Sequence, residues 1–173
     1  VGGLGDAENR ASSEGNEDAV ARWRRARPDL DPEVVVLYER LIRLSSHARR
    51  TLDATCRRHR LRHPEFEVLA TLRSYGHPFA RTPTELARTL LLSPAGMTDR
   101  IDRLCDRGWV ERLPTPNDAR SIRVALTDEG RRLVDAALTD HATSQSHRLR
   151  ALTPTEHHTL DKLLDKLLAS FER

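Results

Sequence analysis

Residues 82–108 read TPTELARTLLLSPAGMTDRIDRLCDRG. Two helix starts lie inside this stretch. Thr82-Pro83-Thr84-Glu85 is a capping box. In such a box the threonine hydroxyl serves a first-turn N–H, the glutamate returns to the cap N–H, and proline fits the first helical position. Ser93-Pro94 is a second start. Met97, Ile101 and Leu104 then recur at helical spacing and predict a buried stripe, and Gly108 closes the helix. Two short helices on a tight turn form a helix-turn-helix.

Working outward, Trp109–Leu113 and Ser121–Leu126 read as strands. Pro114-Thr115-Pro116-Asn117-Asp118-Ala119 supplies turn residues between them, so the pair is a β-hairpin with a long tip. Upstream, Pro64, Phe66, Leu69 and Leu72 mark a helix ending near Gly76. Before it, Leu37, Leu41, Leu44, Ala48 and Leu52 predict a long helix from about Glu33 to His59. The two prolines in residues 27–32 read as an extended link behind a short helix, Asp18 to Arg27, that carries Val20 and Trp23. Downstream, Thr127 caps a helix running from Asp128 towards Arg150, with Leu133, Val134, Ala137 and Leu138 on one side. A second Thr-Pro-Thr-Glu box at 153–156 opens a last helix bearing Leu160, Leu163, Leu164, Leu167, Leu168 and Phe171.

That last stripe is wider than a lone terminal helix needs. With only 38% hydrophobic residues, the chain is expected to share it, and the long helix near its start, with a symmetry mate in a homodimer. The predicted fold is mainly α with a small β-wing: a winged helix-turn-helix flanked by dimerisation helices. Residues 1–18, rich in Gly, Ser, Asn, Asp and Glu, read as a disordered acidic tail. Residues 19–173 are expected to form one winged helix-turn-helix domain, with its helix-turn-helix lobe at about 63–127 and dimerisation helices at about 19–62 and 128–173.

Charge is uneven. The first 18 residues sum to −4 within a net +3, and residues 40–62 hold eight arginines against Asp53 alone. A cationic body suits a polyanion. No run approaches the apolar length of a transmembrane helix, and the start lacks the pattern of a secretory signal. The two cysteines, Cys56 and Cys105, allow at most one bridge, so a cytoplasmic setting is expected.

Several runs now carry a family resemblance: Thr82–Ala87, Met97–Leu104, Gly108–Arg112, the wing Asp118-Ala119-Arg120-Ser121, and Val124-Ala125-Leu126-Thr127-Asp128-Glu129-Gly130. Over about residues 20–172 the chain resembles the MarR family of transcriptional regulators. Trp23, Arg-Pro-Asp-Leu-Asp at 27–31, Glu65–Leu69 and Leu72-Arg73 look like its urate-responsive branch, which has an extra N-terminal helix. The resemblance implies a ligand-responsive, sequence-specific DNA-binding regulator, acting as a repressor on a palindromic operator. Its effector residues fall on Trp23, Glu67, Arg100 and Arg112, and a small organic anion is the implied releasing ligand. Glu67 stands where that branch has Asp, and Ala119 where an Arg is usual.

In a winged helix the second helix enters the major groove. Ser93, Ala95, Gly96, Thr98, Asp99 and Arg103 lie off the buried stripe and are the expected DNA contacts from it. Asp99 and Arg103, four apart, also read simply as a surface ion pair. At the wing, Arg120 is expected to enter the minor groove, oriented by Asp118; the alternative is that the two only close the hairpin. For the effector residues the plainer reading is an internal Arg100–Glu67 pair, with Trp23 docking its own helix.

Two rival sensors exist. Cys56, His59 and His63 stand at i, i+3 and i+7, so they share a helix face and could bind zinc, although Arg57, Arg58, Arg60 and Arg62 around them would repel a cation. Cys105, near Arg103 and Arg107, reads either as a redox thiol or as a small buried residue. His157 and His158 are expected to face solvent. No nucleophile elbow or phosphate-cradling loop is present, so neither enzymatic activity nor a cofactor is expected. A winged helix serving protein–protein contact remains the alternative to DNA binding.

Overall fold

Caps and prolines set the helix boundaries. The computed structural model describes residues 18–115 and 118–171, with backbone alone at 115 and 118–120. The expected tail therefore lies, but for Asp18, outside the described residues. The chain divides into two units, Val1–Arg50 and Thr51–Arg173.

The first unit contains α1 (residues 18–26) and most of α2 (Pro32–Arg58), a helix that runs on into the second unit. Asp31 caps α2: its Oδ1 accepts from the N–H groups of Glu33 and Val34 at 3.0 and 3.4 Å, and Pro32 takes the first helical position. The expected extended link at 27–32 is instead a turn. Leu30 N–H donates to Arg27 O at 3.1 Å, and the Arg27 guanidinium grips Asp29 at 2.7 and 2.5 Å. The physical reason is Pro28, whose fixed φ suits the second position of a turn as well as an extended link. Val36 is buried, whereas Val34, Leu37, Tyr38, Ile42 and Leu44 on α2 are exposed.

In the second unit, α3 (His63–Ser74) buries Phe66, Val68, Leu69 and Leu72. Then come β1 (Ala80–Arg81), α4 (Pro83–Thr89), α5 (Pro94–Asp106), β2 (Val110–Thr115), β3 (Asp118–Leu126), α6 (Asp128–Leu149) and α7 (Pro154–Leu168). The predicted boxes are present. Thr82 N–H donates to Glu85 Oε2 at 2.8 Å and Glu85 N–H to Thr82 Oγ1 at 3.2 Å; Thr153 and Glu156 repeat the pattern. The core joins α3 to Leu86 and Ala87 of α4, Met97, Ile101 and Leu104 of α5, Val110 and Val124 of the hairpin, and Val134 and Ala137 of α6. The first half of α6, expected among the dimerisation helices, therefore also belongs to the lobe's own core. In α7 no residue is buried.

The sheet is antiparallel with order β1-β3-β2, pairing Ala80 with Ala125 and Val110 with Leu126. Sequence periodicity missed β1, because two residues have no period. It also made the wing tip too long: strand pairing reaches Thr115 and resumes at Asp118. Pro114 is accommodated because β2 is an edge strand and the register shifts between Pro114 and Thr115. Gly130 explains the wing's closing glycine. A Cβ there would lie 1.9 Å from Trp109 O, so the first turn of α6 presses directly on the α5–β2 corner.

Candidate nucleic-acid interface

The helix-turn-helix is α4, a turn over Leu90–Ser93, and α5. Ser93 caps α5, its Oγ accepting from Gly96 N–H at 3.1 Å. The accepting hydroxyl keeps its own proton to donate. A Cβ at Gly96 would come 3.2 Å from that oxygen, a tight contact that the Ser93 side chain would have to ease. The other face of α5 exposes Ala95, Thr98, Asp99 and Arg103. Thr98 Oγ1 donates to Pro94 O at 3.0 Å, and Arg103 Nη2 pairs with Asp99. The i,i+4 pair is thus formed, and it removes an unpaired carboxylate from this face. Asp118 and Arg120 are in β3, but their side chains lie outside the described residues.

Of the four expected effector residues, the structure joins Glu67 to Arg100, Nη1 to Oε2, at 2.9 Å, tying α3 to α5. Both belong to a wider cluster that the sequence reading missed. His63 Nε2 lies 3.4 Å from Glu67 Oε1, and His63 Nδ1 lies 3.7 Å from Asp53 Oδ1. Helical spacing offered the His63–Glu67 pair, whereas Asp53 comes in only through the fold. Arg112 instead pairs with Asp102 at 2.5 Å, which bridges β2 and α5 and raises the Arg112 pKa. Trp23 is half-buried in α1, within the first unit.

The zinc reading fails on backbone geometry. α2 ends at Arg58, Arg60 turns left-handed at φ +57°, and His63 opens the next helix. His59 Nε2 lies 2.9 Å from Asp140 Oδ2, and burial pushes the Cys56 thiol up to about 11. Among the described residues no cluster of His, Cys, Asp and Glu is arranged to hold a metal. Cys105 is only partly buried, yet desolvation raises its pKa despite the opposing charge of Arg112. That environment favours the thiol, which is less reactive than the thiolate. Arg103 and Arg107, the expected activators, are engaged elsewhere: Arg103 with Asp99, and Arg107 over the Trp109 ring at 4.0 Å and donating to Arg60 O. His157 and His158 are exposed, His157 Nε2 lying 2.7 Å from Leu149 O.

A family model for MarR matches residues 61–122. The regulator PecS of Dickeya dadantii is 35% identical over 150 residues, spanning 87% of this chain and 90% of PecS. The chain belongs to the MarR family. MarR of Escherichia coli, the multiple antibiotic resistance protein, is 37% identical over 114 residues, covering 60% of this chain and 71% of MarR. The crystal structure of a point mutant of E. coli MarR complexed with operator DNA superposes with a TM-score of 0.63 at 29% identity, over 84% of this chain and 97% of that one. A MarR family protein from Bacillus stearothermophilus shares the fold, with a TM-score of 0.67 at 21% identity over 83% and 99% of the two chains. These relatives are transcriptional regulators rather than enzymes, and this MarR-family chain is a DNA-binding transcriptional regulator with a winged helix. No helix among the described residues is long and apolar enough to cross a membrane.

Proposed function

We propose that this MarR-family chain is a homodimeric, cytoplasmic repressor that binds a palindromic operator and is released by a small organic anion, as in the urate-responsive branch it resembles. The carrying observation is the Glu67–Arg100 bridge, which fastens the expected reading helix α5 to the core helix α3. An anion that binds Arg100 competes with Glu67 for the guanidinium. Glu67 retains His63 as a second partner, so the exchange leaves it paired. Binding that differs between the two positions of α5 couples the effector to DNA. The family resemblance also implies Arg112 and Trp23 as effector residues, a cation and an aromatic ring suited to a planar anion.

For DNA, we assign Ser93, Ala95, Gly96, Thr98, Asp99 and Arg103 on α5 and its cap, with Asp118 and Arg120 on the wing. The support is the helix-turn-helix order, the small first turn of α5 and the operator-bound relative. The exposed apolar residues of α2 and α7 support the homodimer.

The test has two steps. Purified protein selects duplexes from a random pool, and an inverted repeat with half-sites about one helical turn apart is expected. Urate, salicylate and citrate are then titrated against that complex for wild type and Arg100→Ala. Release and thermal stabilisation of the wild type alone support the effector site; equal responses from both proteins remove it.

A further inference from the structure

The turn into α5 holds a leucine that the fold does not use. Leu90 and Leu92 pack against the core, but Leu91 between them is 93% exposed and adopts φ +52°. The left-handed region favours glycine, and an exposed leucine gains nothing from burial. Beside it, the surface that opens α5 is mostly carbon. Pro94 and Ala95 are exposed and carry no polar side-chain atom. The Ser93 oxygen accepts from Gly96 N–H, and the Thr98 hydroxyl gives its one proton to Pro94 O, so Thr98 offers outward its methyl and an oxygen that can only accept. Ala95 and Thr98, three apart, lie on one helix face. The nearest charges on that face, Asp99 and Arg103, are paired with each other.

Taking the DNA reading above as given, we propose that Leu91, Pro94, Ala95 and the Thr98 methyl recognise thymine through its 5-methyl group. In the major groove the thymine methyl is the apolar mark among the base edges, and aliphatic side chains are its complement. Donor and acceptor patterns are read poorly by a carbon surface. The half-site is therefore thymine-bearing where the start of α5 meets it. The left-handed turn at Leu91 serves to carry an aliphatic group to the duplex, at a position where glycine suits the backbone better.

Deoxyuridine scanning tests this directly, because uracil lacks the methyl and keeps every hydrogen-bonding group of thymine. The probe is the duplex selected by the full chain from a random pool, with each thymine replaced singly. Loss of one buried methyl is expected to weaken binding about fourfold at the positions facing α5. In Leu91→Gly the penalty at one such position in each half-site is expected to vanish. That variant melts no lower than wild type, since glycine accepts the backbone angle, and its salt dependence is unchanged because no phosphate contact is lost. Equal affinity for thymine and uracil duplexes at every position overturns methyl reading while leaving DNA binding intact. Uracil penalties identical in Leu91→Gly and wild type remove Leu91 from the recognition. A folded protein that selects no duplex overturns the DNA reading and this inference with it.

Discussion

On α5, Met97, Ile101 and Leu104 are at most 1% exposed; on α7, Leu163, Leu164, Leu167 and Leu168, with Phe171 just past its end, are 37–64% exposed. Both helices open on a proline behind a side-chain cap, and both repeat apolar residues at helical spacing. Their surroundings differ. The α5 stripe is met within the chain by α3, α4 and the hairpin. Among the described residues nothing buries the α7 stripe. Each large apolar side chain gains about 1.5–3 kcal/mol on full burial, so five left in water are a strong drive to associate. The difference teaches that periodicity announces a buried face and is silent on whose atoms bury it.

Breaking the α7 stripe gives the largest expected effect. Leu163→Asp with Leu167→Asp is expected to yield a folded monomer whose operator affinity is about a hundredfold weaker, because the gain from two linked half-site contacts is lost. Sedimentation and fluorescence anisotropy read the two parts. In contrast, Ile101→Ala is expected to leave assembly intact while lowering stability by about 3 kcal/mol in urea unfolding, from lost burial and a residual cavity. If the α7 variant stays dimeric, or if Ile101→Ala loses no stability, the contrast between the helices fails.

Gly130→Ala sharpens the boundary between the two regions, since α6 begins in the lobe's core. The added Cβ collides with Trp109 O, and a loss of about 2 kcal/mol is expected from overpacking against backbone. Unchanged denaturation midpoints would contradict that close approach.

The smallest effect concerns pH. His141 sits in α6 with its ring 5.9 Å from Phe66, and its buried Nδ1 has no hydrogen-bond partner among the described residues. Burial first, and His63 second, lower its pKa from 6.5. The fold therefore favours the neutral ring. Its contribution is complete above the unfolded-state value of about 6.5 and is lost as pH falls towards and through the lowered folded-state value. His141→Leu is expected to flatten the fall in stability between pH 7 and 5, read from urea midpoints; an equally steep fall in both proteins would remove His141 as a cause.

The helix starts were legible because their signals are local. Thr82 with Glu85, Ser93 with Pro94, and Thr153 with Glu156 each declare a start within four residues. Met97, Ile101 and Leu104 declared a face that the core then used. What stayed hidden depends on distant partners or on single backbone angles. β1 exists only because Ala80 meets Ala125. Leu91 is indistinguishable from its neighbours in a run of three leucines until its φ turns it outward. Of the site, the plainer expectation of a Glu67–Arg100 pair is present, whereas Asp102 as the partner of Arg112 is set by the α5–β2 corner and has no spacing rule. The turn at Pro28 shows the opposite limit, since one proline signature serves two conformations.

The most direct measurement is sedimentation equilibrium of the unmodified chain at micromolar concentration, alone and with a selected operator. The account predicts twice the chain mass for the protein alone, and two chains plus one duplex for the complex with the operator. A monodisperse monomer that binds the operator with full affinity would contradict it.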